Sequence, residues 1–112
     1  MNNLVIKLRE FAKERDWDKY HSPKNLSMAL SVEVAELVEH FQWAKEEESA
    51  NPKPQKIEQI KDEIGDILIY LVRIADKLGI DPLESANQKL EKNKKKYPVH
   101  LVKGKSNKYT DY

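Results

Sequence analysis

The sequence predicts an all-α fold: a bundle of four helices with a polar C-terminal tail, formed by a single domain over residues 1–112. Three observations favour this fold. Apolar residues recur at helical spacing along most of the chain. Proline follows a capping residue at Ser22-Pro23 and at Asp81-Pro82, as at the first position of many helices. The sequence contains neither a β-hairpin signal nor an internal repeat.

Each predicted helix is delimited by residues that start or stop helices. Ser22 is the favoured N-cap of the second helix, with Asn25 as the alternative. Gly79 ends the third helix, and the fourth cannot continue through Pro98. The expected helices run from Asn3 to Asp16, from Pro23 to about Ala44, from Lys56 to Leu78 and from Pro82 to about Lys96, with a solvated loop from Lys45 to Lys56 and a tail from Lys103 to Tyr112.

Composition narrows the classes of function. The absence of cysteine excludes disulfides and thiolate zinc sites and agrees with a cytoplasmic location. No basic segment followed by an apolar run begins the chain, and no apolar stretch reaches the ~20 residues that cross a bilayer, so we expect neither secretion nor a membrane partner. A formal net charge of +1 argues against polymeric nucleic acid as a partner.

The second helix carries carboxylates on an apolar face. At 100° per residue, Glu33 falls in the same stripe as Leu26, Leu30 and Leu37, and Glu36 lies at the edge of that stripe. Glutamate is rarely buried without a partner. One such pair by itself is still more often part of a solvated helix face than of a functional site.

The third helix repeats the arrangement, because Glu63 lies among Ile60, Ile67 and Ile74, and Asp66 follows one turn later. Burying unpaired carboxylates is costly, and their mutual repulsion adds to the cost. Bound cations offset it, and ligands that are all oxygen suit Mg²⁺, Mn²⁺ or Ca²⁺ rather than zinc. The four carboxylates predict a Mg²⁺ site, with Mn²⁺ as a substitute, that handles phosphate groups.

Two other interpretations of the carboxylates are open. A single E-x-x-E pair is usually part of a solvated helix face, although two such pairs in apolar stripes favour a site. A di-iron carboxylate bundle requires Glu-x-x-His pairs. No glutamate stands three residues before His21, His40 or His100, so the sequence argues against that class.

Several other side chains have more than one interpretation. His40 lies near the stripe of Glu33, and we expect a half-buried structural histidine there. Trp17 and Trp43 are either core aromatics or rings on which a base stacks. One face of the fourth helix is either solvated or meets a triphosphate; it comprises Lys89, Lys92, Asn93 and Lys96.

The second and third helices are apolar on nearly all sides, which predicts burial on more than one face. A glycine inside a helix lowers its stability. The close approach of another helix would explain why Gly65 occupies this position. We therefore expect a homo-oligomer, at least a dimer. The faces opposite the carboxylates hold Gly65, Leu68 and Val72 on the third helix and Met28, Ala35 and Val38 on the second.

Short motifs span nearly the whole chain in a defined order: Arg15-Asp16-Trp17 with Tyr20-His21, Pro23-Lys24-Asn25-Leu26, Glu33-Val34-Ala35-Glu36, Phe41-Gln42-Trp43, Glu63-Ile64-Gly65-Asp66 with Ile69-Tyr70-Leu71-Val72, Tyr97-Pro98-Val99-His100 and Lys108-Tyr109-Thr110. In this order they resemble the MazG-like all-α nucleoside triphosphate pyrophosphohydrolases, and within them the dCTP pyrophosphatase branch. The E-x-x-E and E-x-x-D parts alone are shared with all-α dUTPases.

The resemblance implies a four-helix MazG-like bundle that assembles as a dimer or as a tetramer of paired dimers. Animal dCTP pyrophosphatases carry a histidine on the first helix in the base pocket, where this chain has Lys7-Leu8-Arg9, which leaves the fine base preference open. The resemblance also assigns roles: Glu33, Glu36, Glu63 and Asp66 as catalytic Mg²⁺ ligands; Trp17, Asp18, Lys19, Tyr20, His21, Trp43 and Tyr70 in the nucleotide pocket; Lys89, Asn93 and Tyr97 near the phosphates.

The expected reaction is hydrolysis of a (deoxy)nucleoside triphosphate at the α-phosphate, which yields the monophosphate and pyrophosphate and cleanses the nucleotide pool. By resemblance, dCTP and 5-modified dCTP are the leading substrates. Glu36 or Glu33 is expected to accept the proton of the attacking water. The alternatives are a dUTPase-like or broad-specificity pyrophosphatase and, from another class, a non-catalytic helical interaction or metal-binding module.

Overall fold

The computed structural model describes residues 1–104, which form α-helices and short turns without any strand. The prediction of an all-α protein is confirmed, and the tail beyond Gly104 lies outside the described residues. Along the described chain run α1 (Asn2–Glu14), a 3₁₀ turn (Asp18–Tyr20), α2 (Pro23–Glu39), α3 (Glu46–Ala50), α4 (Pro54–Lys77), α5 (Pro82–Lys96) and α6 (Val99–Val102).

The chain forms two compact units, Met1–Ile80 and a second that begins at Asp81. In the first unit α2 packs along α4, and α1 packs against α4 and the 3₁₀ turn. The second unit contains α5 and α6. The single domain over residues 1–112 stays a prediction.

The core of the first unit lies where α1 and α2 meet α4. Its fully buried apolar side chains are few, and α4 supplies most of them because it is the longest helix and contacts both others. Many larger apolar side chains outside this core remain exposed. The buried set comprises Ala12, Leu26, Ile60, Val72 and Ala75.

The predicted helix starts are explained by capping. The Ser22 hydroxyl accepts a hydrogen bond from the Asn25 backbone N–H at 3.1 Å, so Ser22 is the N-cap of α2. The Asn25 side chain instead donates to the Tyr20 carbonyl at 3.0 Å, which holds the preceding turn against the helix. Asp81 caps α5 in the same way, accepting from the backbone of Leu83 at 3.0 Å.

Two segments differ from the sequence expectation. The second helix ends at Glu39 rather than near Ala44, because residues 40–44 close shorter turns such as Ala44 N–H to Phe41 O at 2.9 Å. The predicted loop from Lys45 to Lys56 contains α3, whose first turn holds Glu46, Glu47 and Glu48. Acidic side chains in a first turn stabilise a helix through its dipole, so this run starts a helix as well as being solvated.

Left-handed residues end α1 and α4. Asp16 has φ of 54°, and the following Trp17 N–H bonds the Ala12 carbonyl at 2.9 Å, which turns the Trp17 ring back toward α1. The ring meets Phe11 edge to face, with centroids 5.6 Å apart. Gly79, with φ of 68°, ends α4 as predicted. Across residues 1–104, no helix combines the length and the apolar composition needed to cross a bilayer.

Replacing Ser22 with alanine should destabilise the protein by about 0.5–2 kcal/mol, because the first turn of α2 loses the acceptor for Asn25 N–H. Urea unfolding measures the change. Ser27→Ala is the matched control, since the Ser27 hydroxyl bonds the Lys24 carbonyl inside the same helix and alanine favours helix. Equal losses in both variants would contradict the capping role.

Candidate metal centre and adjoining cavity

Three carboxylates converge where α2 packs along α4. Glu33 and Glu36 come from α2, one turn apart, and Glu63 comes from α4. One oxygen of each lies within 4.8 Å of one oxygen of each of the others. All three side chains are half-buried. The structure therefore brings together three of the four residues predicted to bind the metal.

The environment of the Glu33 carboxylate disfavours its negative charge. Its Oε2 is inaccessible to solvent and has no hydrogen-bond partner. Burial, followed by the adjacent Glu36 and the charges of Asp66 and Glu63, raises the pKa of Glu33 to about 7. A buried oxygen of this kind requires a cation or a proton. The cluster can hold a metal ion, and its all-oxygen donor set fits a hard divalent cation such as Mg²⁺.

Asp66 stands one turn beyond Glu63 on α4 and is exposed. It is not part of the converging group, but its charge raises the pKa of Glu33, and its side chain lines a neighbouring cavity. Asp66 thus joins the acidic cluster to that cavity. Its role as a fourth ligand stays a prediction.

His40 contacts the cluster from the C-terminal end of α2. Its Nε2 lies 3.7 Å from Glu63 Oε1, and only 13% of the side chain is exposed, as expected for a half-buried structural histidine. Burial and Glu36 raise the pKa of Glu63, whereas His40 opposes that rise. His40 also borders a second cavity of about 650 Å³ that extends to Lys53 and Lys56.

The cavity beside Asp66 has a volume of about 370 Å³ and a largely aromatic and apolar wall. Trp17, His21 and Tyr70, all predicted to meet the nucleotide, line it together. Lys7 and Leu8, which stand where the resemblance puts a base-pocket residue, line it too, whereas Phe11, Ile69 and Arg73 were not predicted to do so.

Other predicted pocket residues do not line this cavity. Asp18 is paired with Arg73 and Lys77, Lys19 with Asp16, and Tyr20 is 59% exposed. Trp43 is 88% exposed, so the alternative that it is a core aromatic is wrong. The contact of these residues with a nucleotide stays a prediction.

A charged network that sequence reasoning missed supports the cavity wall. Arg73, only 3% exposed, donates to Asp18 Oδ1 at 2.9 Å and contacts His21 Nδ1 at 3.4 Å. Asp76 accepts from both Arg73 and Arg9. The sequence signal for this network is an arginine within the apolar run Tyr70–Ala75, because a guanidinium buried among apolar residues requires partners.

The residues predicted near the phosphates belong to the second unit. Lys89 and Asn93 lie on α5, and Tyr97 follows its last turn. The neighbouring ammonium group of Lys96 lowers the pKa of Lys89. This concentration of positive charge fits an anionic ligand, and the contact with a triphosphate stays a prediction.

Comparison with known proteins places the chain in a family. The model of the MazG-like family matches residues 28–112. The chain belongs to the MazG-like family. This confirms the resemblance seen in the sequence motifs, and it covers both the carboxylate cluster and the polar face of α5.

Similar proteins are pyrophosphatases by name. This MazG-like chain is 44% identical to dCTP pyrophosphatase 1 of Bos taurus and 40% identical to that of Homo sapiens, over 91% of its own length and 62% and 61% of theirs. The chain thus spans about three fifths of the relatives' length. A crystal structure of a pyrophosphatase from Archaeoglobus fulgidus matches with a TM-score of 0.83 and 44% identity, covering 88% of this chain and 92% of that one.

The raised pKa of Glu33 makes the metal-free protein less stable as pH rises. The folded state favours the protonated form of Glu33. The contribution of this group to the free energy of unfolding is therefore complete below pH 4.5 and is lost as pH rises through about 7. Glu33→Gln removes this dependence. With a chelator present, the free energy of unfolding of the variant relative to wild type should increase as pH rises from 5 to 8.

Urea unfolding at several pH values measures this difference. His21 contributes the opposite slope, because its lowered pKa favours the neutral ring, but that contribution is common to both proteins and cancels. Glu10→Gln, an exposed glutamate on α1, is the control and should follow wild type. A difference that does not change with pH would show that Glu33 is not destabilised by its neighbours.

Proposed function

We propose that this MazG-like protein is a Mg²⁺-dependent nucleoside triphosphate pyrophosphohydrolase. Its leading substrate is dCTP or a 5-modified dCTP, which it converts to the monophosphate and pyrophosphate. The observation that carries the proposal is the half-buried trio Glu33, Glu36 and Glu63 beside a cavity lined by aromatic rings. The names of the relatives support the substrate and the reaction.

The cavity suits a base, and the carboxylates suit the cation that a triphosphate requires. Its volume of about 370 Å³ lies in the roughly 300–1,000 Å³ range of small-molecule sites. Trp17 and Tyr70 offer rings against which a base stacks. Asp66 lines the cavity, and its charge acts on Glu33 in the cluster. A nucleotide whose base occupies the cavity would therefore need a cation between its phosphates and the acidic oxygens.

The three carboxylates hold the ion, and the cavity fixes the nucleotide relative to it. A bound Mg²⁺ supplies charge neutralisation for the triphosphate and for the departing pyrophosphate. A carboxylate oxygen not engaged by the ion accepts the proton of the water that attacks the α-phosphate. The proposed acceptor is Glu36 or Glu33, which both lie in the cluster with Glu63.

The proposed reaction indicates the ligand, the location and the partners of the protein. The ligand is a small nucleotide in the cytoplasm, where removing unwanted deoxynucleoside triphosphates cleanses the pool. We infer that neither polymeric nucleic acid nor a membrane is a partner. A dUTPase-like or broad-specificity pyrophosphatase is the rival enzyme, and a non-catalytic helical module is the rival from another class. Pyrophosphate release from a panel of nucleotides with Mg²⁺ separates all three.

Activity should require Mg²⁺ or Mn²⁺ and should be lost with a chelator. Glu63→Gln, which keeps the shape of the side chain but removes its charge, should lower turnover by about 10²-fold or more, comparable to losing a major electrostatic contribution. Pyrophosphate release under saturating dCTP measures this effect. Glu10→Gln on α1 should retain wild-type turnover. Full activity of Glu63→Gln would rule out the metal site.

We also propose that the working form is a homo-oligomer, a dimer or a tetramer of paired dimers. Exposed apolar side chains cover the outer faces of α2 and α4, including Met28 (58% exposed), Val38 (49%) and Leu68 (39%). Soluble monomers rarely expose large contiguous apolar surfaces. Val72 is only 1% exposed and belongs to the chain's own core, so the expectation that it faces a partner is wrong.

Gly65 tests this assembly directly. A Cβ added at Gly65 meets no atom within 4 Å in the chain, and leucine favours helix, so the single chain tolerates Gly65→Leu. If another copy packs closely there, the larger side chain should dissociate the assembly toward 13.1 kDa. Light scattering measures the mass. Glu10→Leu, which adds an exposed leucine on α1, should leave the assembly intact.

Two results would count against the assembly. A wild-type mass of 13.1 kDa with full activity would show that the monomer is the working form. An oligomer that persists in Gly65→Leu would place the interface away from the middle of α4.

A further inference from the structure

Arg73 is the most deeply buried charged residue among the described residues, and it joins three parts of the first unit. From α4 it donates to Asp18 in the 3₁₀ turn at 2.9 Å, contacts His21 Nδ1 at 3.4 Å and lies 3.5 Å from Asp76. Asp18 is also paired with Lys77 at 2.7 Å, and Asp76 with Arg9. Each carboxylate therefore keeps a cation even if Arg73 is removed.

The contact between Arg73 and His21 fixes the tautomer of the histidine. A guanidinium has only donors and does not lose its proton in proteins. Its Nη2 therefore bonds His21 only if Nδ1 presents a lone pair. Burial and then the charge of Arg73 lower the pKa of His21, so the ring is neutral and its one proton is on Nε2.

The choice of tautomer matters because His21 lines the cavity beside Trp17 and Tyr70. With a carbonyl or carboxylate at Nδ1, a neutral histidine would present Nε2 as an acceptor. With Arg73 there, it presents a donor. Cytosine has an amino group that donates and a carbonyl O2 and ring N3 that accept. The partner of Nδ1 thus selects which kind of base atom His21 can bind.

We propose that Arg73 is a positioning residue for base recognition, which holds His21 as the Nε2–H tautomer so that the cavity offers a donor to an acceptor atom of a pyrimidine, carbonyl O2 or ring N3. This inference rests on the proposed function for its ligand. The geometry is independent of that function, because the Arg73–His21 contact is made by the chain's own side chains.

The first measurement is the ¹⁵N NMR spectrum of the full chain labelled at histidine, without nucleotide. The nitrogens of a neutral ring distinguish the Nε2–H from the Nδ1–H tautomer, and His21→Gln identifies the His21 signals among the three histidines. We expect Nε2–H in wild type and a mixture of tautomers in Arg73→Met. Arg9→Met, which breaks the same network at Asp76 without touching His21, should keep the wild-type tautomer.

The second measurement separates a tautomer effect from a structural one. Arg73→Met should raise KM for dCTP by about tenfold, the effect of losing one hydrogen bond, with kcat unchanged. In a His21→Gln background the amide nitrogen remains a donor whatever its partner. There Arg73→Met should change KM by less than about twofold, because the two residues act as one unit.

Several outcomes would overturn the inference. The Nδ1–H tautomer in wild type would do so without any variant, even if Arg73→Met failed to fold. An unchanged tautomer in Arg73→Met, or an equal rise in KM in the two backgrounds, would show that Arg73 only supports the wall. Absence of hydrolysis with every nucleotide would refute the proposed function and leave the tautomer result standing.

Discussion

The packing of α2 along α4 brings three carboxylates of like charge within 4.8 Å of one another in a half-buried place. The arrangement opposes folding, since burial and repulsion raise the pKa of Glu33 to about 7 and leave one of its oxygens without a partner. The same features would favour a hard divalent cation, because an ion that binds only the folded state stabilises that state. The free energy of unfolding is thus lower at this cluster unless a cation is bound there.

In a second charged cluster of the same unit, every carboxylate has cationic partners. Around Arg73 each carboxylate is shared by two cations, and these partners lower the pKa of Asp18 and of Asp76. This network joins α1, the 3₁₀ turn and α4 beside the cavity. The two clusters differ: the first could hold an ion, whereas the carboxylates of the second are already paired with cations beside the cavity wall.

The small buried core supports the proposal that assembly and ligand binding depend on each other in this protein. Only five apolar side chains of the described residues are buried, while long stretches of α2 and α4 expose valine, leucine and isoleucine. Gly65 opens onto free space in the single chain. Since α2 and α4 also carry the carboxylates, a partner that covers their outer faces would hold the two helices, and therefore the metal site, in a fixed relation.

The sequence alone determined the four longer helices, the family and the prediction of oxygen ligands for a metal. Capping by Ser22 and the stop at Gly79 are local, and the i,i+3 spacing of Glu33 and Glu36 is set by the helix itself. Tertiary structure decided everything that depends on distances between helices. Glu63 meets the pair on α2, whereas Asp66 turns to the cavity; Trp43 stays exposed; and Arg73 finds its partners 52 and 55 residues away in the chain. The physical reason is that helical periodicity fixes the face on which a residue lies, while its burial and its partners depend on which helix packs against that face.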